Sequence, residues 1–295
     1  MYAPSMDAVH GLLALANDRH GLSWGLVGKL AGGYQQGAYE LAGLGGTRAV
    51  LKWHPAHLPA RQLTATARAV EDARVRGWPT PNWIAYGPLP DDGAYIIEEF
   101  VEGERPTRLE GLVLDRLLDA IRLQADARPD TEQDWSAYIQ RVVFQGEADL
   151  AARMRAHPAT AALQRRLEQM TADARDIRLP ASDLVHGDFV LNNLLVREEV
   201  PYLVDTAHAG KGTRAYDLAT LLMETTVGGD YIPPALPDQR RLERECVALV
   251  GRHGFLVCVA CRIMHLLVFG GVHWDEHVPQ AVAKCNAFLD GLESS

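Results

Sequence analysis

Residues 184–205 read LVHGDFVLNNLLVREEVPYLVD, and they hold the densest polar cluster between apolar runs in the chain. The runs Leu194–Val196 and Tyr202–Val204 are short and apolar, which is typical of two strands that pair as a buried β-hairpin. Such a hairpin would bring the polar residues that flank its strands to one end. This stretch therefore predicts where the chemistry of the molecule takes place.

Three of these polar residues carry oxygen ligands, namely Asp188, Asn193 and Asp205. Two carboxylates and one amide form a hard-oxygen site, which suits Mg²⁺ rather than zinc. A carboxylate left beside a bound phosphate can orient or deprotonate a hydroxyl group. The alternative is a polar loop with Asx turns, although Asp205 follows an apolar strand without a turn residue.

Upstream of this cluster, the first hundred residues predict a β-rich lobe with two helices. Strands are expected at Trp24–Leu30, Ala38–Leu41, Arg48–Trp53, Trp83–Tyr86 and Ala94–Phe100, and helices at Met6–Arg19 and Pro59–Arg76.

After Gly103, helical patterns replace the strands. Helices are expected at Leu109–Ala127, Glu132–His157, Ala159–Ile177, Arg214–Thr226, Asp238–Arg252, Phe255–Phe269 and Pro279–Leu289. The predicted fold class is therefore α+β in two lobes. The expected boundaries are a small β-rich N-terminal lobe at residues 1–100, a linker at 101–108 and a larger helical C-terminal lobe at 109–295.

The composition is that of a globular protein, with 295 residues, 47% apolar and 23% charged. The net charge of −9 argues against nucleic acid as a partner. Four cysteines and no export signal at Met1–Asp7 predict a reducing, cytoplasmic environment. Cys258 and Cys261 lie in an apolar helical pattern, so we expect buried structural thiols rather than metal ligands.

Residues 254–272 are nearly long enough and apolar enough to span a membrane. Arg262 and His265 lie near the middle of this segment, where a charged or polar side chain is expensive in lipid. We therefore expect a core helix and no membrane partner.

The motif His186-Gly187-Asp188, with Asn193 five residues after Asp188, resembles the catalytic loop of aminoglycoside phosphotransferases and of related choline-kinase-like enzymes. The resemblance continues, in the same order along the chain, with Leu203-Val204-Asp205 and with Tyr216-Asp217-Leu218-Ala219. The strand-rich first lobe also matches. The resemblance implies a protein-kinase-like fold and transfer of phosphate from a nucleotide to a hydroxyl group.

The same resemblance implies roles for individual residues. Asp188 is implied to be the catalytic aspartate that accepts the substrate hydroxyl hydrogen, and Asn193 and Asp205 are implied to be the Mg²⁺ ligands. Asp217 and His186 are implied to support the catalytic loop.

Lys52 lies on an apolar strand in a chain that has 25 arginines but only four lysines. A compact ammonium group can reach nucleotide phosphates from such a strand, which matches the strand lysine of the kinase-like fold. We expect an acid on the next helix as its partner. Glu71 shares a helix face with Leu63 and is the first candidate, Asp72 is the second, and a solvated Glu71 is the alternative.

Two further segments resemble the nucleotide-binding parts of the family. The glycine-rich turn before the Lys52 strand resembles the loop that covers the nucleotide, which implies contacts from Gly33 and Gln35. The end of the last strand resembles the linker between the lobes, where the Glu99 carbonyl and the Val101 N–H would meet the adenine edge. An ordinary hairpin and an ordinary edge strand are the alternatives. Either ATP or GTP is compatible with this linker.

The predicted function is therefore a nucleoside-triphosphate-dependent O-phosphotransferase that acts on a small hydroxylated molecule. Residues 1–100 carry a net charge of −1 and residues 101–295 a net charge of −8. An acidic substrate lobe attracts cations, so we expect an amine-bearing acceptor, such as an aminoglycoside-like antibiotic, and hence resistance by inactivation. The acidic surface could instead serve solubility alone. Residues 274–277 are a further candidate for acceptor binding.

Three alternatives remain at this stage. They are a metabolic small-molecule kinase of the choline or homoserine type, a nucleotide-binding pseudokinase without turnover, and a metal-dependent hydrolase. The hydrolase would need neither Lys52 nor the glycine loop.

Overall fold

A five-stranded antiparallel sheet forms the first part of the chain. The computed structural model describes residues 5–30, 37–54, 59–89, 93–227, 234–271 and 277–293. The strands are β1 (Gly25–Lys29), β2 (Ala38–Ala42), β3 (Arg48–His54), β4 (Trp83–Pro88) and β5 (Ala94–Glu99), in the order β1-β2-β3-β5-β4. Each of the five predicted strands is present.

One face of this sheet packs on α1 (Met6–His20). Ser5 caps the start of α1, and Gly21 ends it in the left-handed conformation, φ 63°. The shared core contains Val9, Leu12, Leu13, Ala16, Leu41, Ala49, Leu51, Tyr95 and Ile97. Because side chains alternate along a strand, Lys52 lies on the opposite face from Leu51.

The opposite face meets α2 (Ala60–Val75) and the second part of the chain. Leu63 of α2 packs with Ala94 and Ile96 of β5 and with Ala207, which lies two residues after Asp205 in the second part of the chain. The side chain of Thr66 donates to the Ala209 carbonyl at 3.2 Å. Helix α2 therefore ties the sheet to the loop that follows Asp205.

Helices make up most of the second part. They are α3 (Gly111–Leu123), α4 (Trp135–Gln140), α5 (Leu150–Ala156), α6 (Ala161–Met170), α7 (Ala215–Thr226), α8 (Leu236–Gly271) and α9 (Val278–Glu293). The division into a β-rich N-terminal part and a helical C-terminal part confirms the predicted fold class. The exact lobe boundaries remain a prediction.

One predicted helix is interrupted in the structure, and two others are the two parts of a broken helix. The expected helix Glu132–His157 is interrupted, because a π-helical turn at Arg141–Gln145 leads into residues with positive φ, among them Ala148 and Asp149. The expected helices Asp238–Arg252 and Phe255–Phe269 correspond to the two parts of α8, which is broken at Gly251 with φ 71° and ψ 172°. Glycine adopts this conformation without a steric penalty.

Two small antiparallel sheets carry the polar cluster. Strand β6 (Asp183–Val185) pairs with β9 (Gly210–Gly212), and β7 (Leu194–Arg197) pairs with β8 (Val200–Leu203). The predicted hairpin is confirmed, with Leu194 opposite Leu203. Its two-residue turn has positive φ at both positions, the geometry that matches the twist of paired strands.

Candidate active site

The loop that carries Asp188 is anchored by Asp217 at the start of α7. The N–H groups of His186 and Gly187 donate to the two Asp217 carboxylate oxygens at 2.8 and 3.0 Å, and Gln124 Nε2 donates at 2.8 Å. Burial raises the pKa of Asp217, and these donors together with the nearby His186 oppose that shift. The loop is thus held to the helical core by one buried carboxyl group.

His186 is fully buried and spans the same loop. Its Nε2 lies 3.1 Å from the Val204 carbonyl, and its Nδ1 accepts the Asp188 N–H at 3.3 Å. Both ring nitrogens therefore bond to backbone groups, which fixes the tautomer with its hydrogen on Nε2. In this arrangement the ring ties the Asp188 loop to the strand end before Asp205 and leaves no nitrogen for a substrate proton.

Gly187 allows Trp135 to lie directly against the loop. Gly187 has φ 84°, and a Cβ atom at this position would meet the indole ring of Trp135. Trp135 Nε1 donates to the His208 carbonyl at 3.1 Å, and its ring stacks on Tyr216 with centroids 5.6 Å apart. Trp135 thus touches both the Asp188 loop and the loop after Asp205. Sequence reasoning did not identify it.

Asp188 and Asn193 are held together. Asn193 Nδ2 donates to the Asp188 carbonyl oxygen at 2.9 Å and to Asp188 Oδ2 at 3.0 Å. The Asp188 side chain remains 51% exposed. It is therefore oriented by the protein and still accessible to a bound molecule.

Asp205 follows β8 at the same end of the hairpin. The Val204 N–H donates to the Asn193 carbonyl at 2.9 Å, so Asn193 and Asp205 are neighbours across the two strands. Asp205 has φ 66°, an uncommon conformation for a residue other than glycine, and its side chain is 43% exposed. Strained backbone of this kind is often found at functional sites.

The electrostatics keep Asp205 ionised. Partial desolvation of its carboxylate would raise its pKa, but the positive charge of Lys52, followed by smaller contributions from His54, His208 and His186, holds the pKa below the ordinary value. Asn193 uses its amide nitrogen for the bonds to Asp188, which leaves its amide oxygen for a cation. An ionised carboxylate beside an amide oxygen fits a hard divalent cation such as Mg²⁺.

Lys52 faces this end of the hairpin from β3. Its Nζ lies 2.6 Å from Glu98 Oε1 and 3.9 Å from Asp205 Oδ1. Burial lowers the pKa of Lys52, but the two carboxylates more than offset this, so the pKa is raised and the group stays an ammonium ion. The Glu98 side chain is 3% exposed, and burial raises its pKa against the opposing effect of Lys52.

The predicted pairing of Lys52 with Glu71 is wrong. Glu71 is exposed on the outer side of α2 and binds Arg74, one helical turn later, at 2.7 Å. The inward positions of α2 are Leu63, Thr66 and Val70. Glu98 instead reaches Lys52 as a diagonal cross-strand neighbour, since Lys52 lies opposite Ile96 on β5. A carboxylate inside the apolar run of β5 was the signal available in the sequence.

A buried arginine is the second charged residue that sequence reasoning did not place here. Arg262 of α8 lies 3.7 Å from Asp188 through Nη1 and 2.6 Å from Glu224 of α7 through Nη2. Arg262 and Glu224 are 12% and 11% exposed. The only signal in the sequence was a charged residue in the middle of an apolar helix.

The remaining nucleotide-binding predictions are not tested by the structure. Glu99 ends β5 and is tied to Asn82, whose carbonyl accepts the Glu99 N–H at 2.9 Å. Val101 lies in the linker that follows, before Glu104 pairs with Val196 of the hairpin. Contacts of Glu99 and Val101 with a base therefore remain a prediction. Gly33 and Gln35 lie outside the described residues.

The apolar segment forms the core part of α8. Helix residues Leu236–Phe269 are long and apolar enough to cross a membrane by composition, yet half of the most apolar window is buried inside the protein. Cys258 and Cys261 are free and buried, and burial raises the pKa of both thiols. Of the candidate acceptor-binding residues 274–277, only His277 lies within the described ranges.

Comparisons with known proteins give one family match and several similar folds. The sequence profile of the phosphotransferase enzyme family matches residues 27–253. No curated protein matches the chain.

Among the solved structures with a similar fold are three of aminoglycoside phosphotransferases. One is a thermostable mutant of aminoglycoside phosphotransferase APH(4)-Ia in ternary complex with AMP-PNP and hygromycin B, with TM-score 0.67, 18% identity, and 95% of this chain and 97% of that chain covered. The second is aminoglycoside phosphotransferase from Alicyclobacillus acidocaldarius subsp. acidocaldarius DSM 446, with TM-score 0.60, 15% identity, and coverage of 100% and 97%. The third is aminoglycoside-3'-phosphotransferase of type VIII, with TM-score 0.57, 22% identity, and coverage of 87% and 98%. At these identities the likeness concerns the fold.

Proposed function

The chain belongs to the phosphotransferase enzyme family and is a small-molecule kinase, and from this premise we propose that it transfers the γ-phosphoryl group of ATP or GTP to a hydroxyl group of an amine-bearing antibiotic. The observation that carries the proposal is the placement of Asp188, Asn193 and Asp205 at one end of the hairpin, facing the Lys52–Glu98 pair. A carboxylate for the acceptor and ligands for the donor are thus side by side.

In this proposal Lys52 binds nucleotide phosphates and Glu98 holds its ammonium group in place. Asp188 accepts the hydrogen of the acceptor hydroxyl, because its carboxylate is half exposed and fixed on one side by Asn193. Phosphoryl transfer needs little covalent help from the protein, so this positioning supplies much of the rate. Asp217 and His186 support the loop that carries Asp188.

Asn193 and Asp205 would hold Mg²⁺. When bound, the metal ion neutralises negative charge on the phosphate oxygens. Gly33, Gln35, Glu99 and Val101 are proposed to bind the rest of the nucleotide, as the resemblance implies. We place the enzyme in the cytoplasm, with no nucleic-acid or membrane partner.

The proposed acceptor class rests on charge and on the structural neighbours. The helical part carries a net charge of −8, which favours cationic acceptors. One neighbour of similar fold is described in complex with hygromycin B. An aminoglycoside-like molecule is therefore the first acceptor to test, and resistance by inactivation would be the consequence.

The test is a coupled assay of nucleoside diphosphate release with Mg-ATP or Mg-GTP and a panel of aminoglycosides, choline and homoserine. The phosphorylated product is identified by mass spectrometry. Asp188→Ala should lower the rate by roughly 10²–10⁴-fold, the range for a positioned proton acceptor, and leave nucleotide affinity within a few-fold. Asp119→Ala, which removes a surface carboxylate of α3, is the control and should leave the rate unchanged.

Each other outcome points to a different function. Nucleotide binding without turnover would indicate a pseudokinase. Release of phosphate to water with no phosphorylated acceptor would indicate a hydrolase. Turnover with choline or homoserine alone would keep the kinase assignment and overturn the proposal that the acceptor is an antibiotic. A variant Asp188→Ala with more than a tenth of the wild-type rate would remove Asp188 from its proposed role.

A further inference from the structure

Arg262 contacts Asp188 from a part of the chain 74 residues away. Its Nη1 lies 3.7 Å from Asp188 Oδ1, which is too long for a hydrogen bond and close enough for a strong charge interaction. The other carboxylate oxygen, Oδ2, accepts the hydrogen bond from Asn193. The Asp188 carboxylate therefore has an amide on one side and a guanidinium on the other.

Glu224 fixes the position of Arg262. The Arg262 Nη2 donates to Glu224 Oε1 at 2.6 Å, and the two side chains lie between α7 and α8 with little exposure. The neighbouring residues Cys261, Ile263 and Met264 on α8 are buried and apolar or weakly polar. The Arg262 side chain itself is only 12% exposed, and a guanidinium is expensive to bury unless carboxylates compensate it. The two carboxylates here are Glu224 and Asp188.

The geometry assigns Arg262 as a positioning residue for Asp188, an inference that rests on the proposed function. Glu224 binds Nη2 and so orients the planar guanidinium of Arg262. The other terminal nitrogen, Nη1, then holds Asp188 Oδ1 toward the acceptor hydroxyl. Arg262 is too buried to reach a substrate itself, so it acts through Asp188. A purely structural ion pair between α7 and α8 would stabilise the fold without this directional effect.

The decisive variant replaces both members of the pair, Arg262→Met with Glu224→Met. Replacement of a buried ion pair by apolar side chains of similar volume is often neutral for stability, so this variant is expected to fold. We expect kcat to fall on the order of 10- to 100-fold, the effect of a misplaced catalytic group, with the acceptor KM and the nucleotide Kd within about threefold of wild type. A folded double variant with the kcat of the wild type would overturn the inference.

Three further variants separate positioning from stability. Arg262→Lys keeps the charge on a shorter, non-planar group, so its kcat should lie between that of the wild type and that of the double variant. In an Asp188→Ala background, the double replacement should cause no further loss of the residual rate. Arg252→Met removes another ion pair of α8, that with Glu243, and should leave kcat of the folded enzyme unchanged. A rise in acceptor KM at constant kcat would instead make Arg262 a substrate-binding residue and overturn the positioning role.

Failure of the proposed function is recognised separately, because the wild-type enzyme would then show no phosphorylated acceptor at all. In that case crystal structures of the wild type and the double variant, both with Mg-AMP-PNP, decide. The inference expects the Asp188 carboxylate to leave its wild-type rotamer in the variant. An unchanged rotamer would overturn it.

Discussion

Lys52 and Glu98 form a buried ion pair within one sheet. The two side chains lie diagonally across β3 and β5 on the face that meets the hairpin. Glu98 is buried, whereas Glu71, the acid on the neighbouring helix, is exposed and bound to Arg74. A strand therefore supplies the acid that orients the lysine, and α2 is free to pack through apolar side chains.

Substitution of Glu98 should harm nucleotide binding, and the same substitution of Glu71 should not. Glu98→Gln leaves a buried ammonium group without its closest counter-charge. We expect the free energy of unfolding to fall by about 3 kcal/mol, the lower end of the range for a broken buried pair, because Asp205 remains near Lys52 as a second counter-charge. The nucleotide Kd should rise at least about tenfold, or about 1.4 kcal/mol.

Glu71→Gln is the matched control, and its stability should stay within about 0.5 kcal/mol of wild type, as for other surface substitutions. Urea unfolding and isothermal titration calorimetry with nucleotide measure both effects. An equal loss of nucleotide affinity in the two variants would mean that Glu71 becomes the lysine partner in the bound state.

The loop that carries Asp188 depends on contacts between elements that are distant along the chain. Helix α4 places Trp135 against Gly187, and α7 places Asp217 below the same loop. The loop after Asp205 is attached to Trp135 through the His208 carbonyl and to α2 through the Ala209 carbonyl. Packing of three helices thus sets the relative positions of the two acidic loops.

Gly187→Ala should therefore be more damaging than the same change at another glycine with positive φ. Backbone strain costs about 1–2 kcal/mol and overpacking against Trp135 about 1–3 kcal/mol more. Gly146 has φ 74° with open space around a Cβ atom, so Gly146→Ala should cause only the backbone part of the loss. Thermal unfolding and turnover of both variants test this. Equal losses would show that the indole contact is unimportant.

His265 links three helices through two tyrosines. Its Nε2 lies 2.9 Å from the Tyr138 hydroxyl on α4, and its Nδ1 lies 3.0 Å from the Tyr216 hydroxyl on α7. Burial, together with the positive charge of Arg262, lowers the pKa of His265 to about 3. The ring is therefore neutral in the folded protein throughout the physiological range.

This neutral histidine should make stability decrease in acid. Between the folded pKa of about 3 and the ordinary value near 6.5, the unfolded chain binds a proton that the folded protein does not, so stability falls as pH falls. The contribution of His265 reaches at most about 1.4 kcal/mol per pH unit. His265→Gln should be less stable near neutral pH but should lose stability less steeply toward about pH 5.

Urea unfolding of wild type and His265→Gln at several pH values provides the comparison. Since other titrating groups contribute equally to both proteins, the difference between the two slopes isolates His265. Equal slopes of stability against pH in the two proteins would show that His265 binds its proton at the same pH in the folded and the unfolded chain.

The charge of the molecule is divided unequally between its two parts. The β-rich part, residues 1–100, is nearly neutral, whereas the helical part has a net charge of −8. Many acidic residues of the helical part are engaged in surface ion pairs with arginine, such as Asp119 with Arg122 and Glu168 with Arg155. Within the site, Arg262 partly balances Asp188. The excess negative charge is thus a property of the whole lobe.

For the cationic acceptor proposed above, the Michaelis constant should increase with salt. The attraction is screened over about 8–10 Å near physiological ionic strength, so raising the salt concentration weakens it. The KM of the best acceptor is measured at low and high salt, and kcat serves as the internal control because it should change little. A KM unaffected by salt, or a neutral or anionic best acceptor, would contradict the electrostatic argument and leave the phosphotransferase assignment unaffected.

The amino-acid sequence by itself determined the hairpin and the grouping of Asp188, Asn193 and Asp205, because short apolar runs and the spacing of polar residues between them are local properties. It also determined the five strands of the sheet. Only the tertiary structure decided which acid holds Lys52 and that Arg262 lies beside Asp188. Both pairings depend on how sheet and helices pack over long chain separations, and a charged residue in an apolar pattern shows burial without showing its partner.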